Sequence, residues 1–361
     1  MLTFDYDINT IFIMLGNKCN MNCKYCLQHY SYEEPLTARE CNPDIITFIK
    51  NTQYNQDTPI DVRFYGGEPL VYWHDIKNIV EQLHDVNVKF SIISNGKFMT
   101  DEIAKFFNAN NIDVSISYDG YNVIKTRRYD VFKKNEDALL SLKSLSINSV
   151  LTPYCLPYSY INSLMDINRK YIDKNGYGIG VTQELIFDIA AVFTDLVNFD
   201  YDELKKECQA LSNKAKEITE KIIRQEQLSD DEQLVLRYIN CLLYPFTSHG
   251  EVYNKVACGN GTILINMDID GNLYRCHNDN IKLATIYDTL DEYKKVSSAN
   301  DDIIRDFINT DCEGCEVIDY CQGGCPLISR ESRQKSGYCV LRKILFNEYR
   351  KMAHVLLEMK P

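Results

Sequence analysis

No stretch of this chain approaches the roughly 18 consecutive apolar residues of a membrane-spanning helix. The N-terminus, Met1-Leu2-Thr3-Phe4-Asp5-Tyr6-Asp7, has neither the basic n-region nor the apolar h-region of a signal peptide. Positive charge is in deficit: 39 Lys and Arg stand against 51 Asp and Glu, a formal net charge of -12. Non-specific binding to nucleic acid or to an anionic membrane needs basic patches. Neither is expected here, and the expected location is the cytoplasm. Low-complexity segments are missing as well. What remains, 361 residues of which 45% are hydrophobic and 25% charged, suits one large soluble domain and a smaller one.

Against these absences stand fourteen cysteines. In a reducing compartment such a number points to metal rather than to disulfides. Three lie in Cys19-Asn20-Met21-Asn22-Cys23-Lys24-Tyr25-Cys26, spaced C-x3-C-x2-C. A loop this short can turn three sulfurs toward one point. Thiolates select zinc and iron–sulfur clusters, and three ligands leave a four-iron cluster with one open corner. The bland alternatives are half a zinc site or three buried core cysteines.

The chain around that loop alternates strands with helices. Apolar, β-branched runs predict strands at 10–15, 60–64, 88–93, 112–117, 147–152 and 179–186. Helical spacing predicts helices at 44–52, 74–84, 101–110, 135–144 and 160–173, the first opened by Asn42-Pro43. This alternation means a parallel sheet with right-handed crossovers, either a partial barrel or a doubly wound sheet. Polar and glycine motifs fall where strands end, which is where such folds place their sites. They are Gly66-Gly67-Glu68-Pro69, Ser94-Asn95-Gly96 and Ser117-Tyr118-Asp119-Gly120. Each taken alone is also a plausible turn.

The cysteine loop after the first strand, followed by these motifs, resembles the radical S-adenosylmethionine (SAM) superfamily. The resemblance implies a partial (β/α)6 TIM-like barrel. It also implies a 4Fe–4S cluster on Cys19, Cys23 and Cys26, whose open iron binds SAM and cleaves it to a 5′-deoxyadenosyl radical. Tyr25 stands where the family carries an aromatic. Gly66, Gly67, Glu68 and Pro69 match the motif that meets the SAM amino group. Ser94 and Asn95 resemble a second turn, and Ser117 and Asp119 match residues near the SAM ribose. Arg127 and Arg128 are candidates for the SAM carboxylate.

A charged helical connector is expected over 191–257. Its second helix starts after Ser229 and stops before Pro245, and Cys208 and Cys241 are expected in the helix core. Beyond it come Cys258, Cys276, Cys312, Cys315, Cys321, Cys325 and Cys339, with an Asp-Gly hairpin turn at Asp270-Gly271. Paired C-x2-C elements can also close zinc sites. The seven-cysteine pattern nevertheless resembles the SPASM extension of peptide-modifying radical SAM enzymes. That resemblance implies two auxiliary 4Fe–4S clusters, the nearer on Cys258, Cys276 and Cys325 and the farther on Cys312, Cys315, Cys321 and Cys339. No thiol stands in Gly259–Leu264 to complete the nearer one. Sulfatase-maturing relatives place a catalytic aspartate directly after the residue equivalent to Cys276. Here it is His277, a candidate proton acceptor.

The expected organisation is therefore a barrel over 1–190, the connector over 191–257, and a small SPASM domain over 258–361 closed by a C-terminal helix near 340–358. The expected function is radical modification of a ribosomally made peptide by a thioether, a carbon–carbon crosslink, epimerisation or oxidation. Alternatives are sulfatase maturation to formylglycine and a non-enzymatic zinc or iron–sulfur scaffold or sensor. Expected partners are the peptide or protein substrate and a low-potential flavodoxin- or ferredoxin-type donor. Only about nine residues precede the first strand, so a leader peptide is expected to bind the barrel and SPASM surfaces or a separate leader-binding protein.

Overall fold

β-Branched runs bounded by turn residues become the strands of one sheet. The computed structural model describes residues 1–28, 41–188, 192–193, 195–247, 263–279, 281–297, 312–321, 323–325 and 327–359. The first six strands are β1 (Thr10–Met14), β2 (Ile60–Tyr65), β3 (Val88–Ser94), β4 (Ile112–Ser117), β5 (Leu145–Leu151) and β6 (Gly180–Leu185). Each falls within one or two residues of its expected span. They pair in parallel in chain order, and helices cross over between them.

The crossover helices follow local chemistry. Asn42 Oδ1 accepts from the amide of Asp44 at 3.0 Å, opening the helix Asp44–Tyr54. Thr100 Oγ1 accepts from the amide of Ile103 at 3.3 Å, opening Asp101–Ala109. Both helices lay apolar stripes on the sheet, burying Phe48, Ile49, Ala104 and Phe107 completely. The expected helix at 160–173 is two, Pro157–Ser163 and Met165–Asn175. The one expected at 135–144 begins earlier, at Phe132, and carries non-helical dihedrals at Asn135.

The second cysteine region joins the same sheet. β7 (Leu264–Asp268) pairs in parallel with β1, Thr10 opposite Leu264. β8 (Asn272–Tyr274) and β9 (Lys282–Thr285) continue it antiparallel. The nine strands run β6-β5-β4-β3-β2-β1-β7-β8-β9. The expected hairpin turn is present, and Gly271 takes the left-handed φ of 84° that it demands. β1 is thus flanked on both sides, and four of its five residues are buried. The expected boundary at 257/258 lies outside the described residues.

In the connector, helices Tyr201–Ile223 and Asp230–Thr247 pack on the C-terminal helix Tyr338–Glu358. Ser229 and Glu232 form a reciprocal capping box: Ser229 Oγ accepts from the Glu232 amide at 3.3 Å, and Glu232 Oε2 from the Ser229 amide at 3.1 Å. Two expectations are corrected here. The helix continues through Pro245 to Thr247, at the cost of the hydrogen bond that Pro245, lacking an N–H, cannot give to Cys241 O. Cys241 is exposed rather than in the core, whereas Cys208 is buried as expected. No described helix is long and apolar enough to cross a membrane.

Candidate active site

β1 delivers the chain into the cysteine loop, and the ends of neighbouring strands hold that loop in place. The Gly67 amide donates to Gly16 O at 2.8 Å, and the Glu68 amide to Lys18 O at 2.9 Å. Tyr72 Oη accepts from the Lys18 amide at 2.9 Å. The Lys24 amide reaches Thr126 O at 2.9 Å, and Lys97 Nζ reaches Asn20 O at 2.9 Å. Gly66 and Gly67 are required by this packing. A Cβ on Gly66 would strike Gly16 O, and one on Gly67 would meet Lys18 O at 2.6 Å. The double glycine therefore lets two stretches of backbone touch, besides opening a path to a ligand.

Cys19, Cys23 and Cys26 line one cavity together with Tyr25, Gly66, Gly67, Glu68, Ser94, Asn95, Ser117, Arg127 and His277. The structure thus brings together most of the residues singled out from the sequence. Burial pushes the Cys19 thiol up to about 11, although the Met21 amide opposes this, and burial also raises Cys23. Without a cation these thiols stay protonated at neutral pH; a bound metal centre reverses that preference. Among the described residues no three such side chains converge closely enough to hold an ion by themselves. The three sulfurs share a cavity rather than a point.

Glu68 is buried and joins two strand ends. Its Oε1 accepts from Ser94 Oγ at 2.7 Å and from the Leu70 amide at 3.0 Å, while Oε2 accepts from the Asn95 amide at 2.7 Å. Burial raises its pKa despite these donors. Asn95 Nδ2 donates to Asn20 Oδ1 at 2.8 Å, tying the turn to the cysteine loop. Pro69 begins a 3-10 turn, Pro69–Tyr72.

Asp119 does not face the cavity. It is buried as a hub that accepts from Tyr25 Oη at 2.5 Å, Thr126 Oγ1 at 2.6 Å and the Val150 amide at 3.2 Å. Arg127, which lines the cavity, forms a buried ion pair with Asp119, its Nε 3.2 Å from Asp119 Oδ1. Its guanidinium sits over the Tyr25 ring at 5.2 Å. Burial opposes the Arg127 charge, but Asp119, Tyr25 and Cys23 outweigh it and raise the pKa. Arg128 instead faces away, into a separate outer cleft.

His277, whose carbonyl accepts from Gln28 Nε2 at 3.4 Å, stacks on Phe12 at 4.4 Å and meets the edge of Tyr65 at 4.6 Å. Burial, then Arg63, lowers its pKa to about 4, so the imidazole is neutral at pH 7. Tyr65 Oη and Gln28 Nε2 both donate to Asn278 Oδ1, at 3.3 and 3.1 Å, binding the loop after Cys276 to the first cysteine loop. Cys276 is buried and accepts from the Asn278 amide at 3.4 Å. Burial raises the Cys312 thiol, Cys321, Cys315 and Cys339 add to the shift, and Arg333 opposes it. Arg342 Nε donates to Cys321 Sγ at 3.1 Å. The Cys325 amide reaches Tyr338 Oη at 3.4 Å. Cys258 lies outside the described residues.

Sequence reasoning passed over Arg63, Tyr65, Asn148 and Glu184, which also line the cavity. A signal existed: Arg63 and Tyr65 are polar residues two apart at the end of an apolar strand, hence on one face. Glu184 accepts from Asn148 Nδ2 at 3.3 Å, and burial raises its pKa.

Comparison with known proteins places this geometry. A profile described as the Radical SAM superfamily matches residues 13–169. The radical SAM cyclopropyl synthase TigE of Paramaledivibacter caminithermalis is 24% identical, over 88% of this chain and 68% of that protein. A cysteine-type anaerobic sulfatase-maturating enzyme of Clostridium novyi is 25% identical, over 86% of this chain and 85% of that one. Among solved structures, native anSMEcpe with bound AdoMet and Cp18Cys peptide superposes with a TM-score of 0.66 at 20% identity, covering 97% of this chain and 99% of that chain. The parallel sheet is therefore the expected partial barrel, and the doubly wound alternative is set aside.

Proposed function

We propose that this chain, which belongs to the radical SAM superfamily, modifies a peptide or protein substrate at the cavity between its cysteine loop and His277. It is an enzyme that uses a 4Fe–4S cluster and SAM, so the non-enzymatic scaffold reading falls away. The observation that carries the proposal is the shared cavity. Three sulfurs, the buried Arg127 cation and the polar side chains Arg63, Tyr65, Glu184 and His277 all line it.

The residues present fit the implied groups. Cys19, Cys23 and Cys26 would hold the cluster, which with SAM supplies a 5′-deoxyadenosyl radical able to take hydrogen from an unactivated carbon. Backbone at Gly66-Gly67 and the carboxylate of Glu68 suit the SAM ammonium. Arg127 suits its carboxylate and is held charged by Asp119 and Tyr25. Ser94 and Asn95 fix Glu68, and Ser117 lines the wall. Arg63, Tyr65, Glu184 and His277 line the rest of the cavity, where a bound substrate would displace water from around a radical.

Cys276 and Cys325 with Cys258, and Cys312, Cys315, Cys321 and Cys339 together, are proposed to hold two auxiliary clusters. The spacing Cys312-x2-Cys315-x5-Cys321, with Cys339 opening the C-terminal helix, supports the second group. Within this reading the three-segment organisation and a cytoplasmic, reductant-dependent enzyme are retained.

Sulfatase maturation is the second reading, favoured by the similarity to the Clostridium novyi protein across most of both chains. His277, neutral at pH 7, is there a weak proton acceptor. Anaerobic incubation with SAM, a reductant and two peptide sets decides between the readings. Formylglycine in a sulfatase peptide supports maturation, seen as loss of two hydrogens from a serine or, from a cysteine, loss of two hydrogens with sulfur exchanged for water's oxygen. A crosslinked or epimerised peptide encoded beside this enzyme supports the first reading. No change in any peptide, with SAM still cleaved, would remove peptides as the substrate class.

A further inference from the structure

The loops that enclose the cysteine loop carry a charge bias opposite to that of the chain. Residues 15–28, 95–100 and 120–129 contain Lys18, Lys24, Lys97, Lys125, Arg127 and Arg128 and no Asp or Glu, although acids outnumber bases 51 to 39 overall. These loops form one surface. The Lys24 amide meets Thr126 O at 2.9 Å, Lys97 Nζ meets Asn20 O at 2.9 Å, and Asn95 Nδ2 meets Asn20 Oδ1 at 2.8 Å.

Two adjacent arginines divide the work. Arg127 is buried against Tyr25 and Asp119, whereas Arg128, at a left-handed φ of 62°, is exposed. Lys18, Lys24 and Lys125 are exposed as well. Lys24 meets Asp195 at 3.4 Å; among the described residues, Lys18, Lys125 and Arg128 form no ion pair with a carboxylate. Lys24 and Arg128 border an outer cleft whose wall includes Cys23, one acid, Asp195, and the apolar Phe193 and Leu196. Cys23 also lines the inner cavity, so it stands between the cluster position and the outside.

We infer that this basic rim is the docking surface of a small acidic electron-carrier protein, seated over Cys23. The inference rests on the radical SAM reading and adds to it the surface through which reduction occurs. An acidic carrier is repelled by most of a chain of net charge -12 and drawn to this rim. Seated there, it brings its redox centre to the side of the cysteine loop reached from solvent. One electron leaves the carrier's reduced flavin or iron–sulfur centre and enters the cluster on Cys19, Cys23 and Cys26; no bond is made or broken and no proton moves.

The test is stopped-flow reduction of the reconstituted enzyme, followed by cluster absorbance, with calorimetric binding of the carrier alongside. The reductants are flavodoxin hydroquinone, a reduced two-cluster ferredoxin, and photoreduced 5-deazariboflavin, which is small and uncharged. With whichever carrier reduces the wild type, the rate falls at least about tenfold between roughly 20 and 300 mM salt. Lys24→Glu with Arg128→Glu slows it and weakens binding by at least about tenfold. Reduction by deazariboflavin stays within about twofold, which also shows that the variant holds its cluster. Arg128→Gly, which relieves the left-handed backbone, gives a smaller loss of about two- to fivefold. Lys205→Glu with Lys351→Glu, away from the rim, changes nothing. Carrier rates indifferent to salt and to the rim charges overturn the inference, as does an equal loss in the distant variant. So does a rim variant that weakens an acidic peptide substrate while leaving carrier reduction intact. If deazariboflavin cannot reduce even the wild type, the radical SAM reading itself fails.

Discussion

Replacing Asp119 by Asn tests how the site keeps a buried cation in place. Asp119 and Arg127 are 1% and 8% exposed, and their charged atoms lie 3.2 Å apart. Asparagine keeps the shape and one acceptor for Tyr25 and Thr126, but leaves the guanidinium without its counter-charge. Removing one partner of a buried pair costs about 3–5 kcal/mol. Domain stabilities are about 5–15 kcal/mol, so this is a large share. Urea unfolding of the cluster-free protein under anaerobic conditions measures it. Asp119→Asn should lower the unfolding free energy by about 3–5 kcal/mol. Adding Arg127→Met removes the stranded charge and should recover about half of the loss or more, since neutral replacements of buried pairs are often tolerated. A loss below about 1 kcal/mol for the single variant, or simple additivity in the pair, would refute the claim that Asp119 holds Arg127 by charge.

Other outcomes follow from single contacts. Gly67→Ala drives a Cβ to 2.6 Å from Lys18 O, so it should destabilise by about 2 kcal/mol or more and lower iron uptake; Gly176→Ala, with nothing within 4 Å but a φ of 83°, should cost only about 1 kcal/mol and leave iron unchanged. Glu232 is depressed to about 2 by Lys221, the Ser229 amide and Lys214, so its contribution is full above pH 4.5 and lost as pH falls through 2. Glu232→Gln should therefore cost about 1–2 kcal/mol at pH 7, after allowance for the partly exposed lysines, and nearly nothing at pH 2. Cys258→Ala and Cys312→Ala should each remove about four of some twelve irons without abolishing SAM cleavage; unchanged iron in either refutes that assignment.

Much of this fold could be read from the chain because parallel strands buried on both faces are short apolar runs with punctuated ends. β1 is such a run, whereas β2, β4 and β5 alternate buried apolar with more open polar positions, and the ends of β1 to β4 carry the motifs that meet at the cavity. What could not be read depends on contacts distant in sequence. Nothing local announces that Leu264 pairs beside Thr10, which makes the second cysteine region an extension of the barrel sheet. Asp119 matched a ligand-facing motif, yet its donors Tyr25, Thr126 and Val150 come from three segments and turn it inward. Arg127 and Arg128 look alike in sequence, yet Arg127 is buried against Asp119 and Tyr25 while Arg128, at a left-handed φ, is exposed. Cys241 resembled Cys208 in its helical setting, but only Cys208 is buried.

The most direct measurement is 5′-deoxyadenosine formed by the anaerobically reconstituted protein from SAM and a reductant, alongside its metal content. The account predicts a brown protein with about twelve irons that releases methionine and 5′-deoxyadenosine, and loses that activity when Cys19, Cys23 or Cys26 is replaced by Ala. A zinc-loaded protein that leaves SAM intact, or cleavage that survives those replacements, would contradict it.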